Sequence, residues 1–546
     1  MSFIEGLKMR YLNRAVFATN VLPVLLILLA NALLFLSVPL SDYWWSDAPR
    51  HALNGVFLRD FFATLPLNDP RQYAIDYYMQ YPALTILFYP PLFPAVAAVF
   101  VALFGVSSFS AQLTVAIFYV AASFGAYALA RRWLSPWYAL AVTLLFLGSH
   151  EVALWGRQVM LEIPAYAFLL WAVYLLLRYL DTNKTSLLYA TTVVLGLGLY
   201  TKISIMFIAP VLLWALWQVR GKAMFRDPHL YGNALLFVVA MIPLMILTLK
   251  FGQANVQSVT GVVDAEASRL SLAGWTWYLR ALPSQIGPIV LFGAAMYFVL
   301  GIFRQHFRLK QPDYGLLIAW VAVGYVFFSL IDLKEARHSV FILYPLALFA
   351  VLLVQRLSSR NLVCSAVVAV AAGHFFYTIK YDPVPYVHGY RDAANYIAEH
   401  APKDSAVLFS GYRDGSFIFN LRTRTDREDL SVIRADKLLL RVAVRRSLGV
   451  KEQEVGETQL RNMINDYGVH YIVSQPNFWD DLENMKMLQR VLGSSQFEEV
   501  WSTPITSNRP HDDKQLKVYK NLGPVSKEKK NMTLHLDMIG TTIESK

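Results

Sequence analysis

The chain has 546 residues, of which 56% are hydrophobic and only 16% carry a charge, and its mean hydropathy is +0.40. This composition is too apolar for a soluble globular protein and indicates a polytopic membrane protein. The formal charge of +11 does not indicate nucleic-acid binding, because the basic residues form short clusters between apolar segments. The single cysteine, Cys364, excludes an intramolecular disulfide.

The first apolar segment is long enough to cross a membrane. Val16 to Val38 is almost wholly apolar, which at ~20 residues per span matches one transmembrane helix. No small-residue cleavage site follows it, so we expect an uncleaved signal anchor. Ten further spans, about eleven with the first, are predicted at Ala111 to Ala130, Trp137 to Gly148, Ile163 to Leu180, Leu187 to Tyr200, Ile203 to Trp217, Tyr231 to Leu249, Ile286 to Phe303, Tyr314 to Leu330, Val340 to Val354 and Leu362 to Phe376.

Basic residues occupy every second connection, which predicts an orientation because cytoplasmic loops carry the excess of Lys and Arg. Lys8, Arg10 and Arg14 precede the first span, so the N-terminus is expected inside. The alternation requires that Pro90 to Gly105 does not cross, and its ~16 residues, opened by two prolines, favour an interfacial or re-entrant helix on the outer side. The predicted outer connections are Pro39 to Ser110, Ser149 to Glu162, Tyr200 to Lys202, Lys250 to Gln285 and Asp332 to Ser339.

The sequence changes in kind after the last span, because Tyr377 to Lys546 carries charges throughout. The stretch "YRDAANYIAEH" predicts an amphipathic helix, and "AVLFSG", "HYIVSQ", "FEEVWST" and "LKVYKN" predict short strands. We therefore expect three parts. They are a transmembrane domain over 1–380, with interfacial helices in the first external loop over 39–110, a small extracytoplasmic α/β domain over 381–524, and a loose tail over 525–546.

Ionisable side chains collect in the predicted outer connections. Such groups near span ends are costly, and they indicate a substrate cavity. A single Lys or Arg at such a place is more often a side chain reaching into water, but separate connections that together deliver both signs of charge favour a shared site. Carboxylates beside cations suit a substrate that carries a phosphate. The residues are Asp47, Arg50, His150, Glu151, Arg157, Glu162, Lys202, Lys334, Glu335, Arg337 and His338.

Five motifs around these residues carry a family resemblance. "SDAPRHALNG" resembles the Asp-Glu-x-Arg-Tyr-Ala motif of the protein O-mannosyltransferase and aminoarabinose transferase families, which are membrane glycosyltransferases of the C superfamily. "YPPLFPAVAAVFVALFG" resembles their Lys/His-Pro-Pro-Leu segment with its short helix, and "GRQVMLEIPAYAF" their second external loop. "GLGLYTK" and "EARHSVFILYPLALF" resemble two later stretches. The likeness covers most of Met1 to Arg356, with the motifs in the order that the family has.

The resemblance implies a mainly helical bundle and the transfer of a sugar from a polyprenyl-phosphate donor to an acceptor at the outer membrane face, usually with inversion. By position, Asp47 and Glu162 match the acidic residues of the first and second external loops and are the catalytic candidates. Ala48 stands where the family usually has Glu, which departs from any two-carboxylate or metal-bound arrangement in the first loop. The residues expected to bind the donor phosphate or other parts of the substrate are Arg50, Arg157, Lys202, Arg337, His338 and Tyr344.

Simple chemistry gives these candidates roles. A carboxylate such as Asp47 can take the proton of the acceptor or orient it, whereas cations stabilise the charge on a leaving phosphate. A helix cap is the alternative interpretation of Asp47. Trp44 and Trp45 are expected to seat the loop at the lipid interface. The residues leave the need for a divalent metal open, and they predict no other cofactor.

Other classes of protein use the same lipid carriers. A transporter or flippase for a lipid-linked sugar would often show internal repeats and spans broken near the midplane, whereas here the ionisable residues gather at the outer ends of spans. This favours an enzyme, with a polysaccharide polymerase or ligase as a closer rival. The sequence leaves open both the sugar and the acceptor, which is a lipid, a protein or a glycan. The expected location is the plasma (inner) membrane, with the C-terminal domain outside.

Overall fold

The computed structural model of the protein describes residues 17–260, 267–442, 446–526, 530–536 and 540–544. In the part before the C-terminal segment the α-helices are α1 (Leu22–Leu36), α2 (Asp47–Thr64), α3 (Pro70–Gln80), α4 (Leu92–Phe104), α5 (Ser108–Ala130), α6 (Pro136–Leu147), α7 (His150–Gly156), α8 (Glu162–Thr182), α9 (Thr185–Leu199), α10 (Ile208–Arg220), α11 (Pro228–Phe251), α12 (Gln253–Val259), α13 (Leu272–Ile286), α14 (Pro288–Phe303), α15 (Asp313–Ser329), α16 (Leu343–Leu357) and α17 (Asn361–Tyr381).

The C-terminal segment mixes helices with strands. Its helices are α18 (Tyr390–His400), α19 (Asp414–Thr423), α20 (Ala435–Leu439), α21 (Glu457–Asp466) and α22 (Glu483–Leu492). The strands, of which only the first precedes this segment, are β1 (Asp42–Tyr43), β2 (Tyr386–His388), β3 (Ala406–Ser410), β4 (Ser431–Arg434), β5 (Leu440–Val442), β6 (Val450–Glu452), β7 (Val469–Ser474), β8 (Phe497–Pro504), β9 (Thr506–Ser507), β10 (Gln515–Asn521), β11 (Thr533–Leu536) and β12 (Thr541–Glu544).

The chain divides into two compact units, and the division differs from the predicted domains. The first external loop groups with the C-terminal segment, in part because β1 at the start of that loop pairs with β2 after the last helix, with Asp42 opposite Val387. The first unit comprises Met1–Val38, Val115–Ile246 and Ala265–Val384, and the second comprises Pro39–Thr114, Leu247–Asp264 and Pro385–Lys546.

The predicted apolar segments fall on helices, which confirms a mainly helical fold. Among the described residues, seven helices are long and apolar enough to cross a membrane, and up to nine if the bent pairs α6 with α7 and α13 with α14 each form one span. Two further predicted spans fall on the shorter apolar helices α9 and α15, so the total of eleven spans stays a prediction. Val16 and the basic residues Lys8, Arg10 and Arg14 lie outside the described residues.

Two predicted connections contain helices that the hydropathy pattern missed. Helix α7 lies within 149–162, and α12 and all of α13 but its last residue lie within 250–285. Between α13 and α14 the chain bends by 118°. Gly287 has a φ of +88° there, a conformation that glycine adopts freely, and the following Pro288 disfavours a helical conformation at the residue before it. The Gly-Pro pair therefore ends α13 and starts α14 in a new direction.

Aromatic side chains pack the core of the first unit. Trp320 and Phe341 are fully buried, and the indole nitrogen of Trp320 donates a hydrogen bond to the backbone oxygen of Phe341 at 2.8 Å. The ring of Tyr166 meets that of Phe341 edge-on, with centroids 5.3 Å apart. A buried indole needs such a partner. These contacts fix the 3₁₀ turn Ala336–Ile342, which carries Arg337 and His338.

In the second unit the predicted short helix over Pro90 to Gly105 is present as α4, which packs against α2. Its place relative to a membrane stays a prediction. The C-terminal segment forms a five-stranded sheet in the order β4-β3-β7-β10-β8, in which β4, β3 and β7 run parallel and β7, β10 and β8 antiparallel. Four of these strands and the helix α18 had been predicted, which confirms the C-terminal domain with its sheet.

The segment over 525–546, predicted as a loose tail, contains a pair of strands in the structure. Its strands β11 and β12 pair antiparallel, with Leu534 opposite Ile543. Both side chains are buried in the core of the second unit, together with Met532, and this burial holds the segment in place. Residues 527–529, 537–539 and 545–546 of the tail lie outside the described part of the chain.

Candidate functional site

The first unit brings together three predicted site residues from three separate elements. Glu162 is the first residue of α8, Lys202 lies in the turn after α9, and Arg337 lies in the 3₁₀ turn before α16. Oε1 of Glu162 accepts a hydrogen bond from the Lys202 ammonium at 2.6 Å and lies 4.0 Å from Nε of Arg337. The carboxylate also lies at a helix N-terminus, where negative charge is favoured.

Glu162 is fully buried, whereas Lys202 and Arg337 keep 22% and 20% of their side chains exposed. Among the described residues, Oε2 of Glu162 has no hydrogen-bond partner. A lysine ammonium has three N–H donors, so the pair with Glu162 uses only part of the donor capacity of Lys202. The cluster therefore presents two partly exposed cations and one buried acceptor oxygen.

The turn that carries Arg337 holds further polar groups. Nε of Arg337 donates to the carboxylate of Glu335, and Nδ1 of His338 lies 3.4 Å from the hydroxyl of Tyr278. Lys334 donates to the backbone oxygens at the end of α15. Burial lowers the pKa of Lys334 below its ordinary value, although Asp332 opposes this shift. His338 and Glu335 thus border the cluster, whereas Lys334 is committed to the backbone.

Two other predicted binding residues are engaged inside the first unit. Arg157 is buried, and its guanidinium donates to the backbone oxygens of Ala153 and Asp382, each at 3.0 Å. Tyr344 is fully buried. Its hydroxyl donates to the backbone of Ala126 at 2.9 Å, and its own N–H donates to Tyr166 at 3.0 Å. In this structure these hydrogen bonds brace the helices, so a contact of either residue with substrate stays a prediction.

Asp47 belongs to the second unit, where it is the first residue of α2. Tyr89, directly before the two prolines of the second motif, donates its hydroxyl to Oδ1 of Asp47 at 3.1 Å. Ser46, and not Asp47, occupies the N-cap position. Ala48 is fully buried, so the position that usually holds Glu in the resembled families is packed in the core here.

Arg50 also lies on α2 and binds a residue far away in the sequence. Its Nη2 donates to both carboxylate oxygens of Asp414, each at 3.0 Å. Burial raises the pKa of Asp414, but Arg434 and Arg50 outweigh this and hold the pKa below its ordinary value. Arg50, predicted to bind substrate, is therefore part of an ion-pair network with the C-terminal segment.

The sequence did not predict the residues that form hydrogen bonds or ion pairs with the candidate site residues. Tyr89 and Tyr278 are single tyrosines in apolar or aromatic stretches, and Asp414 is 364 positions away from Arg50. A signal for Tyr89 was its place beside the Pro-Pro motif. No local pattern marks Asp414. The ring of Trp44 lies under the guanidinium of Arg413, 4.3 Å from the ring centroid, and its place at the lipid interface stays a prediction.

The donor set gives no metal-binding cluster in the part of the chain that the structure describes: no three or more His, Cys, Asp or Glu side chains lie together as metal ligands would. The candidate site of the first unit instead pairs a carboxylate with cations. Such a set suits an anionic ligand with hydroxyl groups, because Lys and Arg bind phosphate and a carboxylate accepts from hydroxyls.

Comparisons with known proteins give a family match over part of the chain and a match to solved folds. Residues 89–247 match the family described as dolichyl-phosphate-mannose-protein mannosyltransferase. The fold matches crystal structures of ArnT from Cupriavidus metallidurans, in the apo state (15% identity, TM-score 0.64) and bound to undecaprenyl phosphate (14% identity, TM-score 0.63), each over 92% of this chain and 98% of that one. The chain therefore shares the fold of the ArnT structures.

A further structure with this fold is the apo oligosaccharyltransferase of Archaeoglobus fulgidus, with 12% identity and a TM-score of 0.51 over 84% of this chain and 70% of that one. No curated protein sequence matches the chain. The resemblance predicted from the motifs is thus confirmed by the family match and by the fold.

Proposed function

We propose that the protein is an integral-membrane glycosyltransferase that moves a sugar from a polyprenyl-phosphate donor to an acceptor at the outer membrane face. The observation that carries the proposal is the cluster in which Lys202 and Arg337, from two separate turns, flank the buried carboxylate of Glu162. The fold shared with the ArnT structure bound to undecaprenyl phosphate supports a polyprenyl phosphate as the ligand.

In this proposal Lys202 and Arg337 bind the phosphate of the donor. Negative charge grows on the phosphate as its bond to the sugar carbon breaks, and fixed cations stabilise that charge most where water is scarce. The planar guanidinium of Arg337 suits two phosphate oxygens at once. Glu162 keeps both cations in place, and its Oε2, which has no partner among the described residues, accepts a hydrogen bond from a substrate hydroxyl.

Asp47 acts on the acceptor. The acceptor oxygen forms its bond to the sugar carbon while the bond from that carbon to the phosphate oxygen breaks. The phosphate leaves with the electron pair, and the proton of the acceptor passes to the Asp47 carboxylate. One such displacement inverts the sugar carbon. The hydrogen bond from Tyr89 orients the carboxylate for this step.

A transfer assay tests the proposal. Purified protein in lipid nanodiscs is given labelled polyprenyl-phosphate pentoses and hexoses, together with lipid, protein and glycan acceptors. We expect label to move to one acceptor fraction, and Lys202→Met to abolish this transfer. In a parallel experiment with the protein in sealed vesicles, label that crosses the bilayer without transfer would instead establish a flippase. A growing polymer in either experiment would establish a polymerase.

The orientation is a separate proposal. We infer that the N-terminus lies in the cytoplasm and the C-terminal domain outside the plasma (inner) membrane, because the basic connections alternate along the chain. Reporter fusions after Lys310 and after Tyr386 should report opposite sides. A cytoplasmic signal from the second fusion would overturn this orientation.

A further inference from the structure

Helix α2, which carries Asp47, is bound at both ends by one helix of the C-terminal segment. Near its start, Arg50 pairs with Asp414 at 3.0 Å, the first residue of α19. Arg434 pairs with the same carboxylate at 2.7 Å. Asp414 keeps only 14% of its side chain exposed, so the network is largely removed from water and is screened little by salt.

Toward the other end of α2, Asp60 accepts a hydrogen bond from Arg422 at 2.7 Å. Arg422 lies near the end of α19 and is almost completely buried, with 3% of its side chain exposed. The hydroxyl of Tyr77 donates to the same oxygen of Asp60 at 2.9 Å. The two charged contacts thus join α2 and α19 as parallel neighbours, start to start and end to end.

Beside the first of these contacts, Gly415 of α19 also lies close to the start of α2. A Cβ atom on Gly415 would lie 2.9 Å from Cγ of Pro49 and 3.3 Å from Nη1 of Arg50. The first distance is too short for a carbon contact, so a larger residue at position 415 requires Pro49 or α19 to shift. Pro49 is two residues after Asp47, and the position of Gly415 therefore sets the place of the candidate carboxylate.

The segment before Asp47 is held by the same helix and its neighbour. The guanidinium of Arg413 donates to the backbone oxygen of Trp44 at 2.6 Å and lies over its ring. Asn420 of α19 donates to Oδ1 of Asp42 at 2.6 Å. The other oxygen of Asp42 accepts the backbone N–H of Tyr390 at 2.9 Å, which caps α18. The first loop and the C-terminal domain share one polar network.

We infer that the C-terminal domain is a working part of the catalytic centre, because α19, through Asp414, Gly415 and Arg422, positions α2 and with it Asp47. This inference rests on the proposed function. The three residues act through α2 and are positioning residues.

Two variants on α19 test the inference. Asp414→Asn keeps the shape of the side chain and removes the charge that binds Arg50 and Arg434. Gly415→Ala favours the helix locally but pushes on Pro49. Because a displacement of about 1 Å can cost about 100-fold in rate, we expect kcat to fall by roughly tenfold or more in each variant. The affinity for polyprenyl phosphate should stay within about twofold of wild type, since in the proposal the first unit binds the phosphate.

Matched controls separate positioning from general damage. Gly456→Ala places a Cβ where no atom lies within 4 Å, and Asp426→Asn removes an exposed partner of Arg424. Both should keep wild-type kcat. Asp414→Glu restores the charge and should recover part of the lost rate. Hydrogen exchange should become faster across α2 in Asp414→Asn, with the exchange of β3 and β7 unchanged.

The outcomes distinguish this inference from the proposed function. Wild-type kcat in both Asp414→Asn and Gly415→Ala would overturn the inference, and so would a loss of rate accompanied by faster exchange throughout the C-terminal sheet. A wild-type protein that transfers no sugar from any donor would overturn the proposed function instead. In that case, exchange that accelerates only in α2 would uphold the coupling of the helices, and unchanged exchange would overturn it.

Discussion

Removing the buried charge of Glu162 should destabilise the first unit in a way that depends on Lys202. In wild type the Glu162 carboxylate lies 2.6 Å from the Lys202 ammonium and 4.0 Å from Arg337. Glu162→Gln leaves Lys202 without this counter-charge, whereas Arg337 keeps the carboxylate of Glu335. Lys202→Met leaves a buried carboxylate with only the more distant Arg337. The double variant removes both charges and leaves neither of these unpaired.

The geometry sets the size of the effect. At an effective dielectric constant of about 20, the pairs at 2.6 Å and 4.0 Å correspond to roughly 6 and 4 kcal/mol of attraction, before the desolvation of Glu162 is subtracted. Removal of one partner from a buried pair costs about 3 to 5 kcal/mol. Because Lys202 is partly exposed, we expect about 3 kcal/mol for Glu162→Gln and about 2 kcal/mol for Lys202→Met. The double variant should lose only about 3 kcal/mol, a coupling of about 2 kcal/mol.

Equilibrium unfolding in mixed detergent micelles measures the free energies of the four proteins. A control cycle on the exposed pair Lys517 and Glu499, 2.8 Å apart on neighbouring strands, should give a coupling below about 1 kcal/mol. Losses from Glu162→Gln and Lys202→Met that add within about 0.5 kcal/mol would refute the reasoning, because independent sites add in this way. The carboxylate would then not be the counter-charge of Lys202.

If Arg337 binds the donor phosphate, Arg337→Ala and Arg337→Lys should both weaken the binding of polyprenyl phosphate, since the point charge of Lys does not reproduce the two-pronged guanidinium. Calorimetry measures this affinity, and a wild-type value in Arg337→Ala would contradict the role. Asp47→Asn keeps a hydrogen-bond acceptor for Tyr89, but its amide cannot take a proton. We therefore expect kcat to fall about 100-fold or more, with an unchanged melting temperature. A transfer rate within a few-fold of wild type would show that Asp47 has a structural role only. Arg434 and Arg50 hold the pKa of Asp414 below its ordinary value of 3.8, so its contribution to stability is present above about pH 4 and disappears as the pH falls through the lower, folded-state pKa. The stability difference between wild type and Asp414→Asn should therefore shrink below pH 4 in denaturation experiments, and a constant difference down to pH 2 would contradict the ion pair.

Local sequence patterns predicted the helices and strands whose formation depends on the spacing of apolar residues close together in the chain. The apolar runs fall on helices because a buried helix needs a continuous apolar surface. The amphipathic spacing of "YRDAANYIAEH" became α18, with Tyr390, Ala393 and Ile397 buried on one face. Helix α13 was missed because Arg280 and several polar residues interrupt its apolar residues, although Tyr278 and Leu282 keep a helical spacing and are buried.

The sequence predicted which residues are candidates for the site, but it did not predict all of their contacts. The motifs pointed to Glu162, Lys202 and Arg337, and the structure places these three together because each lies at an end of a helix or in a turn beside it. The motifs also pointed to Arg157 and Tyr344, whose polar atoms bind backbone groups. A side chain's type and position in a motif predict its neighbourhood, but they do not predict which of several acceptors it binds.

Arg50 shows why a motif does not by itself define a role. Its place three residues after Asp47 suggested substrate binding, yet its Nη2 donates to both carboxylate oxygens of Asp414, each at 3.0 Å, and such charge-assisted hydrogen bonds are strong. A substrate phosphate would have to replace that carboxylate and leave it beside Arg434 alone. The cost of separating such a largely buried pair favours a permanent contact. On this argument Arg50 acts on the reaction through the orientation of α2, and the proposed binding of phosphate falls to Lys202 and Arg337.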